Sequence, residues 1–375
     1  MIYLDNSATT KPSKVALAAF QKAAETEYGN PSSVHMAGAA AAQILKKARE
    51  VVAEKLHTTP EQIIFTSGGT MADNLAVQGA VSLKRGGHIV TTSIEHPAVK
   101  SVCHALEQKG IRVTYVAPDL NGVVPADRIG NALTADTVLV SCMHVNNETG
   151  AIQHVEKLKA YMNGVCPDAL LHTDCVQSFG KLPVLPEKWG ADLVSISGHK
   201  IHGLRGAGAL YIRKGVTLSP LIYGGGQERD ICPGTENLPA IAAMAAACGE
   251  ERDTEKVNSL AAQLLQGIKE VEGAYINSPT DGLPHILNVS FGTVPAEVVT
   301  NALSMAGICV SAGSACAGPR SEKSYVLRSM GVPAPDSGVR FSLSDSNTKE
   351  EIAETIRVLK ETIPMLYMAI GGRRK

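Results

Sequence analysis

Short runs of apolar and β-branched residues alternate with helix-compatible stretches from about residue 60 to residue 215, and this alternation constrains the fold most strongly. The runs predict β-strands at Ile63–Thr66, His88–Ser93, Arg112–Val116, Val138–Met143, Leu170–Asp174, Leu193–Ser197 and Ala209–Ile212. Several runs are apolar on both faces, as expected of parallel strands that are covered by helices on each side. The pattern therefore predicts a doubly wound α/β layer, in which ligands bind at the carboxyl ends of the strands.

The sequence changes character after Gly224–Gly226. An Ala-rich segment predicts a helix over Leu238–Cys248, and a helix of mixed charge is expected to follow it through about Val271. Further strands are predicted near Ile286–Phe291, Ile308–Ser311 and Val339–Leu343. The last helix begins with a capping box that pairs Thr348 with Glu351. These elements predict a smaller α+β domain in the C-terminal part of the chain.

Composition and charge exclude several functional classes. The chain has 375 residues, of which 44% are hydrophobic and 19% are charged, so it can bury a large core. Its 35 Lys and Arg against 36 Asp and Glu argue against direct binding of nucleic acid. No apolar stretch approaches the roughly 20 residues that a membrane helix needs, and no basic, apolar leader precedes Asp5. We therefore expect a cytoplasmic protein that does not bind a membrane.

The 8 cysteines show no Cys-x-x-Cys spacing, which argues against a disulfide framework and gives no support to a zinc site. Most of them lie inside apolar runs, where a cysteine is usually a small buried hydrophobe. Cys316 is the exception, because its neighbours are small or turn-forming residues. A nucleophile that must reach a substrate and then an acceptor protein needs such a loop.

Two charged residues stand at the ends of neighbouring predicted strands. Lys200, in Ser197–Lys200, directly follows a strand and is flanked by glycines. Amines buried in such places lose their proton more readily and become nucleophiles toward aldehydes. Asp174 ends the preceding strand, where an acid can cap a helix or hold a cationic ring nitrogen. An amine paired with an acid in this way is what pyridoxal 5'-phosphate requires, since the acid keeps its pyridine nitrogen protonated.

Polar residues also follow the other predicted strands. The glycines of Thr66–Thr70 let backbone N–H groups approach an anion at the start of a helix, although this signal alone is weak. His96 follows the second strand, and a neutral imidazole there can stack on a flat cofactor and move protons. Asn146–Glu148 follows the strand that ends at Met143. Together these strand ends predict one crevice that holds one cofactor.

These motifs resemble those of the cysteine desulfurases, a family within class V of the fold-type-I pyridoxal phosphate enzymes. The resemblance rests on Ser197–Lys200, Asp174 with Gln177, Glu95–His96, Val145–Glu148 and Gly225–Arg229. It extends from Tyr3–Thr10 to about Thr362, which is nearly the whole chain. The segment Ser311–Cys316 resembles the catalytic-cysteine loop of the subgroup that supplies sulfur for iron–sulfur cluster assembly and tRNA thiolation.

The resemblance implies a role in binding pyridoxal 5'-phosphate for each matching residue. Lys200 would bind the cofactor covalently, Asp174 would hold its pyridine nitrogen, and His96 would stack on its ring and move protons. Gln177 would hydrogen-bond the ring hydroxyl. The remaining cofactor contacts would be Gly69, Thr70, Ser197, His199 and Asn147, with Thr235 reaching the phosphate from the second subunit of a homodimer.

The resemblance also implies a reaction and a division into domains. Asn147 and Arg340 would orient the substrate L-cysteine, with Arg340 binding its carboxylate bidentately. Cys316 would attack the substrate sulfur, release L-alanine and pass its persulfide to a sulfur-acceptor or iron–sulfur scaffold protein. Residues 14–250 would form the large cofactor-binding domain. Residues 1–13 and 251–375 would form the small domain that carries Cys316. No metal is expected.

Three places in the sequence differ from the pattern of this family. Cys232 stands where the family usually has Arg, Met71 stands where Glu is usual, and Ser344–Asn347 replaces a Gly-Arg pair. The principal cofactor-binding residues are unchanged, so these differences bear on partner choice, catalytic efficiency and substrate. We hypothesise an adaptation to another acceptor protein.

Two other interpretations stay open at this point. One is a different pyridoxal phosphate reaction on the same fold, namely selenocysteine lysis or transamination. An aminotransferase needs no loop thiol, so the effect of removing Cys316 separates this reading from the first. The other is a scaffold of the same fold that binds no cofactor, which would be colourless even after pyridoxal phosphate is added.

Overall fold

The computed structural model describes residues 1–82, 86–313 and 324–371. Its strands are β1 (Ile2–Tyr3), β2 (Ile63–Thr66), β3 (His88–Thr92), β4 (Arg112–Val116), β5 (Thr137–Ser141), β6 (Leu170–Asp174), β7 (Leu193–Ser197), β8 (Gly208–Ile212), β9 (Ala274–Ile276), β10 (Ile286–Phe291), β11 (Ile308–Cys309), β12 (Ser311–Ala312) and β13 (Gly338–Ser342). Its helices are α1 (Lys14–Glu25), α2 (Met36–Lys55), α3 (Gly69–Ser82), α4 (Pro97–Glu107), α5 (Ala126–Ala132), α6 (Leu158–Val165), α7 (Pro186–Trp189), α8 (Leu238–Cys248), α9 (Thr254–Lys269), α10 (Ala296–Met305), α11 (Tyr325–Met330) and α12 (Lys349–Gly371).

A seven-stranded sheet with the order β2-β8-β7-β6-β5-β3-β4 forms the centre of the larger part of the molecule. Neighbours from β7 to β4 are parallel, whereas β8 is antiparallel to both β7 and β2. β2 therefore runs in the same direction as β7, and the carboxyl ends of β2, β3, β5, β6 and β7 lie at one edge. The predicted mostly parallel α/β sheet is confirmed, with buried strands in its middle.

The fifth strand is shorter than predicted because its last residues bond elsewhere. β5 ends at Ser141, and the backbone N–H of Met143 donates to Oε1 of the buried Glu95 at 2.9 Å. The N–H of Cys142 still donates to the carbonyl of His172 at 3.1 Å. The chain therefore turns away from the sheet just where the predicted polar residues begin.

A second, antiparallel sheet with the order β12-β13-β10-β9 lies in the C-terminal part of the chain. It packs with α9, α10 and α12 around a core of its own that also contains Leu4. β1 pairs in parallel with β11, so the N-terminal segment joins this part of the molecule. The predicted strand over Ile308–Ser311 is divided at Val310, since β11 pairs with β1 and β12 with β13.

Local signals in the sequence explain where several elements begin. The capping box at the start of α12 is confirmed, since Glu351 N donates to Thr348 Oγ1 and Thr348 N donates to Glu351 Oε2, both at 3.2 Å. The helix predicted over Leu238–Cys248 is present as α8.

The domain boundary near residue 250 stays a prediction. No helix among the described residues is long and apolar enough to cross a membrane.

Candidate active site

A cavity of about 290 Å³ lies at the carboxyl edge of the seven-stranded sheet, where β2, β6 and β7 end. Ten of the predicted site residues line it: Gly69, Thr70, His96, Asn147, Asp174, Gln177, Ser197, His199, Lys200 and Arg340. The parallel arrangement of these strands places residues that are far apart in the sequence around one space.

Lys200 ends a 3-10 turn, Gly198–Lys200, that directly follows β7. Its Nζ donates hydrogen bonds to the carbonyl oxygens of Ser7 at 2.5 Å and Ala8 at 2.8 Å. The residue is 8% exposed and lines the cavity. A buried amine at this position can react with an aldehyde in the cavity.

Asp174 ends β6 and also lines the cavity, with its Oδ1 accepting the backbone N–H of Val176 at 2.9 Å. Burial, and to a smaller degree the neighbouring Asp73, raises the pKa of Asp174 to about 7. A cation beside this carboxyl group would favour its ionised form. The protonated pyridine nitrogen of pyridoxal phosphate is such a cation, so the acid suits this group.

A buried polar cluster behind Asp174 was not predicted from the sequence. His172 in β6 lies between two hydroxyls, with Nδ1 2.8 Å from Ser141 Oγ and Nε2 3.0 Å from Ser195 Oγ. Asp73 of α3 has its Oδ1 3.5 Å from the same Nε2. Burial lowers the pKa of His172 to about 4 and raises the pKa of Asp73 to about 7. The signal available in the sequence is a histidine in the middle of a strand whose other buried residues include Leu171 and Thr173.

His96 lines the cavity from the start of α4. Its Nδ1 accepts the backbone N–H of Ala98 at 3.2 Å, and this hydrogen bond assigns the proton of the neutral ring to Nε2. Burial, and then the charges of Lys200 and Arg340, lowers the pKa of His96 to about 4. The ring is therefore neutral at pH 7, which suits stacking and proton transfer.

The turn between β2 and α3 forms an anion cradle at one side of the cavity. Gly68 has a φ of +154°, which L side chains rarely adopt, and a Cβ on Gly69 would lie 2.7 Å from Val176 Cγ2. α3 begins at Gly69 and has 14 residues, with Thr70 in its first turn. The N–H groups and dipole at the start of this helix favour a phosphate.

Polar groups on the opposite side of the cradle fit the same anion. Ser197 Oγ is buried and has no hydrogen-bond partner among the described residues. His199 Nδ1 lies 3.1 Å from Thr9 Oγ1, and the charged Arg205 also lines the cavity. Burial, and then Lys200 and Arg205, lowers the pKa of His199 to about 4. An unsatisfied buried hydroxyl at a ligand cavity is explained if a bound group accepts or donates there.

Two amide side chains also point to a polar ligand. Gln177 donates through Nε2 to the carbonyl of Ser7 at 3.0 Å, whereas its Oε1 is buried without a partner among the described residues. Asn147 Oδ1 is also buried without a hydrogen-bond partner among the described residues. Both residues line the cavity, so a ligand with hydrogen-bond donors would satisfy these oxygens.

Arg340 reaches the cavity from β13 of the second sheet and is 1% exposed. Its Nη1 donates to the carbonyl of Asn147 at 2.8 Å, and its Nη2 donates to Asp5 Oδ1 at 2.9 Å. Ser311 Oγ donates to the same Asp5 oxygen at 2.8 Å. Sequence reasoning missed Asp5, although it lies in the quoted segment Tyr3–Thr10. A buried guanidinium facing a cavity can bind a carboxylate.

Thr235 lies apart from this cavity within one chain. It lines a neighbouring cavity of about 190 Å³, which shares Ser67 and Met71 with the first. The segment that leads to Thr235 is held by Glu228, whose Oε2 accepts the Arg49 Nη1 at 2.8 Å and the Phe65 N–H at 2.7 Å. Thr235 therefore lies on a tethered segment and does not line the first cavity within its own chain.

Cys316 lies outside the described residues, which end at Gly313 and begin again at Ser324. Glu148 is close to both of these ends. Its Oε2 accepts the Ser324 hydroxyl at 2.6 Å, and a Cβ on Gly313 would lie 3.7 Å from the same oxygen. Burial raises the pKa of Glu148. The residues flanking the predicted cysteine loop are thus joined to the Asn146–Glu148 motif.

Two of the three sequence differences contact each other. Cys232 Sγ lies 3.8 Å from Met71 Sδ, so two sulfur side chains meet where the family pattern has an Arg and a Glu. The third difference, Ser344–Asn347, forms hydrogen bonds within its own turn and with the N-terminal segment. Ser344 N donates to Asn347 Oδ1 at 2.9 Å, and Asn347 Nδ2 donates to the carbonyl of Tyr3 at 3.1 Å.

Comparisons with known proteins identify the family of this chain. A family model described as Aminotransferase class-V matches residues 2–354. The cysteine desulfurase IscS of Dictyoglomus turgidum is 38% identical over 377 residues, covering 97% of this chain and 95% of that protein. The IscS of Serratia proteamaculans is 41% identical, covering 97% of this chain and 93% of that protein.

Solved structures show the same relationship. A NifS-like protein matches with a TM-score of 0.90 and 37% identity, covering 97% of this chain and 99% of that chain. A structure described as SspA in complex with cysteine has a TM-score of 0.84 and 32% identity, covering 93% of this chain and 100% of that chain. The chain belongs to the class-V aminotransferase family, whose fold is that of the fold-type-I pyridoxal phosphate enzymes. Within that class it is a member of the cysteine desulfurases.

Proposed function

We propose that this protein converts L-cysteine into L-alanine and retains the sulfur as a persulfide on Cys316. The observation that carries the proposal is the placement of Lys200 and Asp174 on one cavity, in a chain that belongs to the cysteine desulfurases. The thiol of Cys316 would form a bond with the substrate sulfur while the substrate Cβ–S bond breaks. The two thiols become a persulfide and the Cβ becomes the methyl group of alanine, so no other oxidant or reductant is needed.

The cavity fits pyridoxal 5'-phosphate, which when bound supplies an electron sink for bonds at the substrate Cα. Lys200 would bind its aldehyde, Asp174 its ring nitrogen and Gln177 its ring hydroxyl. The Gly68–Gly69 turn, with no room for a Cβ on Gly69, leaves space for a phosphate to approach the backbone. The other residues that would hold the phosphate are Thr70, Ser197 and His199.

The protein's own side chains supply proton transfer and orientation. His96 is neutral and protonated on Nε2, so it can donate a proton and accept one in turn. The amine of Lys200 would be free to take a proton from the substrate when it is no longer bound to the cofactor aldehyde. Arg340, held by Asp5 and by the Asn147 carbonyl, would bind the substrate carboxylate.

A homodimer is part of this proposal. Thr235 lies outside the cofactor cavity of its own chain, on a segment tied to α2 and β2 through Glu228. It would reach the phosphate bound by a second copy. We expect the sedimentation of the purified protein to show a dimer, and Thr235→Val to weaken the binding of pyridoxal phosphate without dissociating that dimer. A monomer with full affinity for the cofactor would contradict this arrangement.

The sulfur acceptor is proposed to be a protein of the iron–sulfur assembly class. The relatives named IscS support this partner class, and a structure of a relative in complex with cysteine supports L-cysteine as the substrate. Cys232 is 8% exposed and contacts Met71, where the family pattern has an arginine and a glutamate, so this chain presents no arginine to a partner at that position.

Two variants test the proposed function. Lys200→Ala is expected to abolish alanine formation, because the cofactor can no longer be bound covalently. Cys316→Ser is expected to keep the yellow colour of the bound cofactor and to lose transfer of sulfur to an acceptor. Alanine production at the wild-type rate by the Lys200 variant would overturn the assignment, and undiminished release of sulfur from L-cysteine by the Cys316 variant would favour another class-V reaction, namely selenocysteine lysis or transamination.

A further inference from the structure

A second, smaller cavity of about 40 Å³ adjoins the cofactor cavity, and Ser7 and Lys200 line both. The new cavity is also lined by Lys181 and His285. Lys181 in turn lines an open groove of about 560 Å³ at the surface. Lys200 therefore lines two cavities, the one proposed to hold the cofactor and the small one that Lys181 also lines.

Lys181 is tied to the same hydrogen-bond network as Lys200. Its Nζ donates to the carbonyl of Gln177 at 3.0 Å. The side-chain Nε2 of Gln177 donates to the carbonyl of Ser7 at 3.0 Å, which also accepts Lys200 Nζ at 2.5 Å. Burial, and then the charge of Lys200, lowers the pKa of Lys181 to about 7. The two amines thus act on each other through a poorly screened region.

The other titratable groups around Lys181 come from several elements. They are Glu54, Lys55 and His57 at the end of α2, His199 and His202 near Lys200, Cys248 at the end of α8, Glu250, Arg252 and Asp253 before α9, His285 before β10, and Asp345 after β13. Burial is the main cause that lowers the pKa of each of the three histidines His199, His202 and His285.

Three of the four acids in this group are engaged by other donors, and the fourth, Glu54, is exposed to water. Glu250 Oε2 lies 3.0 Å from Arg252 Nη2, and Asp345 Oδ2 lies 3.9 Å from Arg252 Nη1. Asp253 Oδ1 accepts the backbone N–H of Lys256 at 2.9 Å. Lys55 is exposed, so water and salt screen its charge. Among the cations that line the small cavity, Lys181 is the one linked to Lys200 through the hydrogen bonds of Gln177 and Ser7.

We propose that Lys181 is a positioning residue whose partly buried amine, in its protonated form, favours the uncharged state of the Lys200 nitrogen that lines the same small cavity. This inference rests on the proposed function, because it concerns the amine that would bind the cofactor. A nearby cation makes protonation of an amine less favourable, and an amine must be uncharged to attack an aldehyde or to accept a proton. Lys181, which does not line the cofactor cavity, would thus influence the protonation of Lys200, which does.

The test is a pH titration of the visible absorbance of the cofactor bound to Lys200, since this absorbance reports the protonation of the Lys200 nitrogen. Removing the neighbouring cation stabilises the protonated form, so Lys181→Met is expected to raise the midpoint by about one pH unit. Lys181→Gln, which can still donate a hydrogen bond, should shift it equally. Lys181→Arg, which keeps the charge, and Lys55→Met, which removes an exposed charge from the same cavity, should leave it unchanged.

An unchanged midpoint in both Lys181→Met and Lys181→Gln would overturn the proposal, and so would a shift of equal size in Lys181→Arg. These results are distinct from a failure of the proposed function. In that case the wild-type protein would show no visible absorbance with pyridoxal phosphate, or Lys200→Ala would show the same absorbance as the wild type.

Discussion

The Nη2 atom of Arg340 lies 2.9 Å from Oδ1 of Asp5, so an acid of the N-terminal segment orients the guanidinium that faces the cofactor cavity. Ser311, at the start of β12, donates to the same oxygen at 2.8 Å. The backbone bridge between Asp5 and Ser342 holds this arrangement in register. The N-terminal segment, the second sheet and the cavity are therefore joined at one carboxylate.

Asp5→Asn is expected to weaken the hold on Arg340, because a neutral amide oxygen accepts a weaker hydrogen bond from a guanidinium than a carboxylate does. Steady-state kinetics should show KM for L-cysteine raised by about tenfold, with a smaller change in kcat. Asp336→Asn, which alters an exposed ion pair with Arg328, serves as the control and should leave KM unchanged. An unaltered KM in Asp5→Asn would mean that Arg340 does not depend on this acid.

Gly69→Ala is expected to weaken the binding of pyridoxal phosphate by about tenfold, because the added Cβ would lie 2.7 Å from Val176 Cγ2 and displace the cradle. Titration of the apoprotein with the cofactor, followed by absorbance, gives the dissociation constant. The double variant Gly69→Ala with Val176→Ala should recover most of the affinity. Gly164→Ala, where an added Cβ meets no atom within 4 Å, should have no effect.

His144 provides a pH-dependent test of stability. Burial lowers its pKa to about 4, and its ring packs edge-on against Trp189 with the centroids 4.7 Å apart. Since the unfolded chain binds a proton at this histidine near pH 6.5 and the folded chain does not, its contribution to stability is lost as pH falls from about 6.5 to about 4. His144→Phe removes this proton linkage.

Urea unfolding at several pH values measures the expected difference. The free energy of unfolding of His144→Phe, relative to the wild type, should increase by roughly 3 kcal/mol at most as the pH is lowered through this window. At pH above about 7 the difference between the two proteins should be constant. A difference that does not change with pH would contradict a depressed pKa at His144.

The contact between Met71 and Cys232 predicts coupling between the two positions, since their sulfur atoms lie 3.8 Å apart. Either single change, Met71→Glu or Cys232→Arg, places one charge against a sulfur and should lower the free energy of unfolding. The double variant should be more stable than the sum of the single changes implies, by about 1 kcal/mol. Thermal or chemical unfolding of the four proteins gives this value, and strict additivity would show that the two positions are independent.

The strands and most cavity residues could be predicted because both depend on local sequence. A buried strand appears as an apolar run, and Asp174 ends such a run while Lys200 and His96 follow within a few residues of the end of another. Asp5 and Lys181 could not be found in this way. Asp5 becomes part of the site only when β1 pairs with β11, and Lys181 comes to line a cavity with Lys200 only when the turn after Gln177 packs in place.

Two of the strands whose bounds differ from prediction show why local sequence does not determine where a strand ends. An apolar run shows that residues are buried but does not show which partner they pair with. Ile308–Ser311 is one run in the sequence, yet its two ends pair with β1 and β13. Met143 is apolar like the strand before it, but its N–H donates to Glu95. Pairing of this kind is decided by contacts distant in the sequence.

The proposed sulfur transfer is tested most directly by mass spectrometry of the protein after incubation with pyridoxal phosphate and L-cysteine. The peptide containing Cys316 should gain the mass of one sulfur atom in the wild type and in Cys309→Ser, and this gain should be absent in Lys200→Ala. Formation of alanine with no sulfur added to Cys316, or with the sulfur added to another cysteine instead, would contradict the proposed role of Cys316.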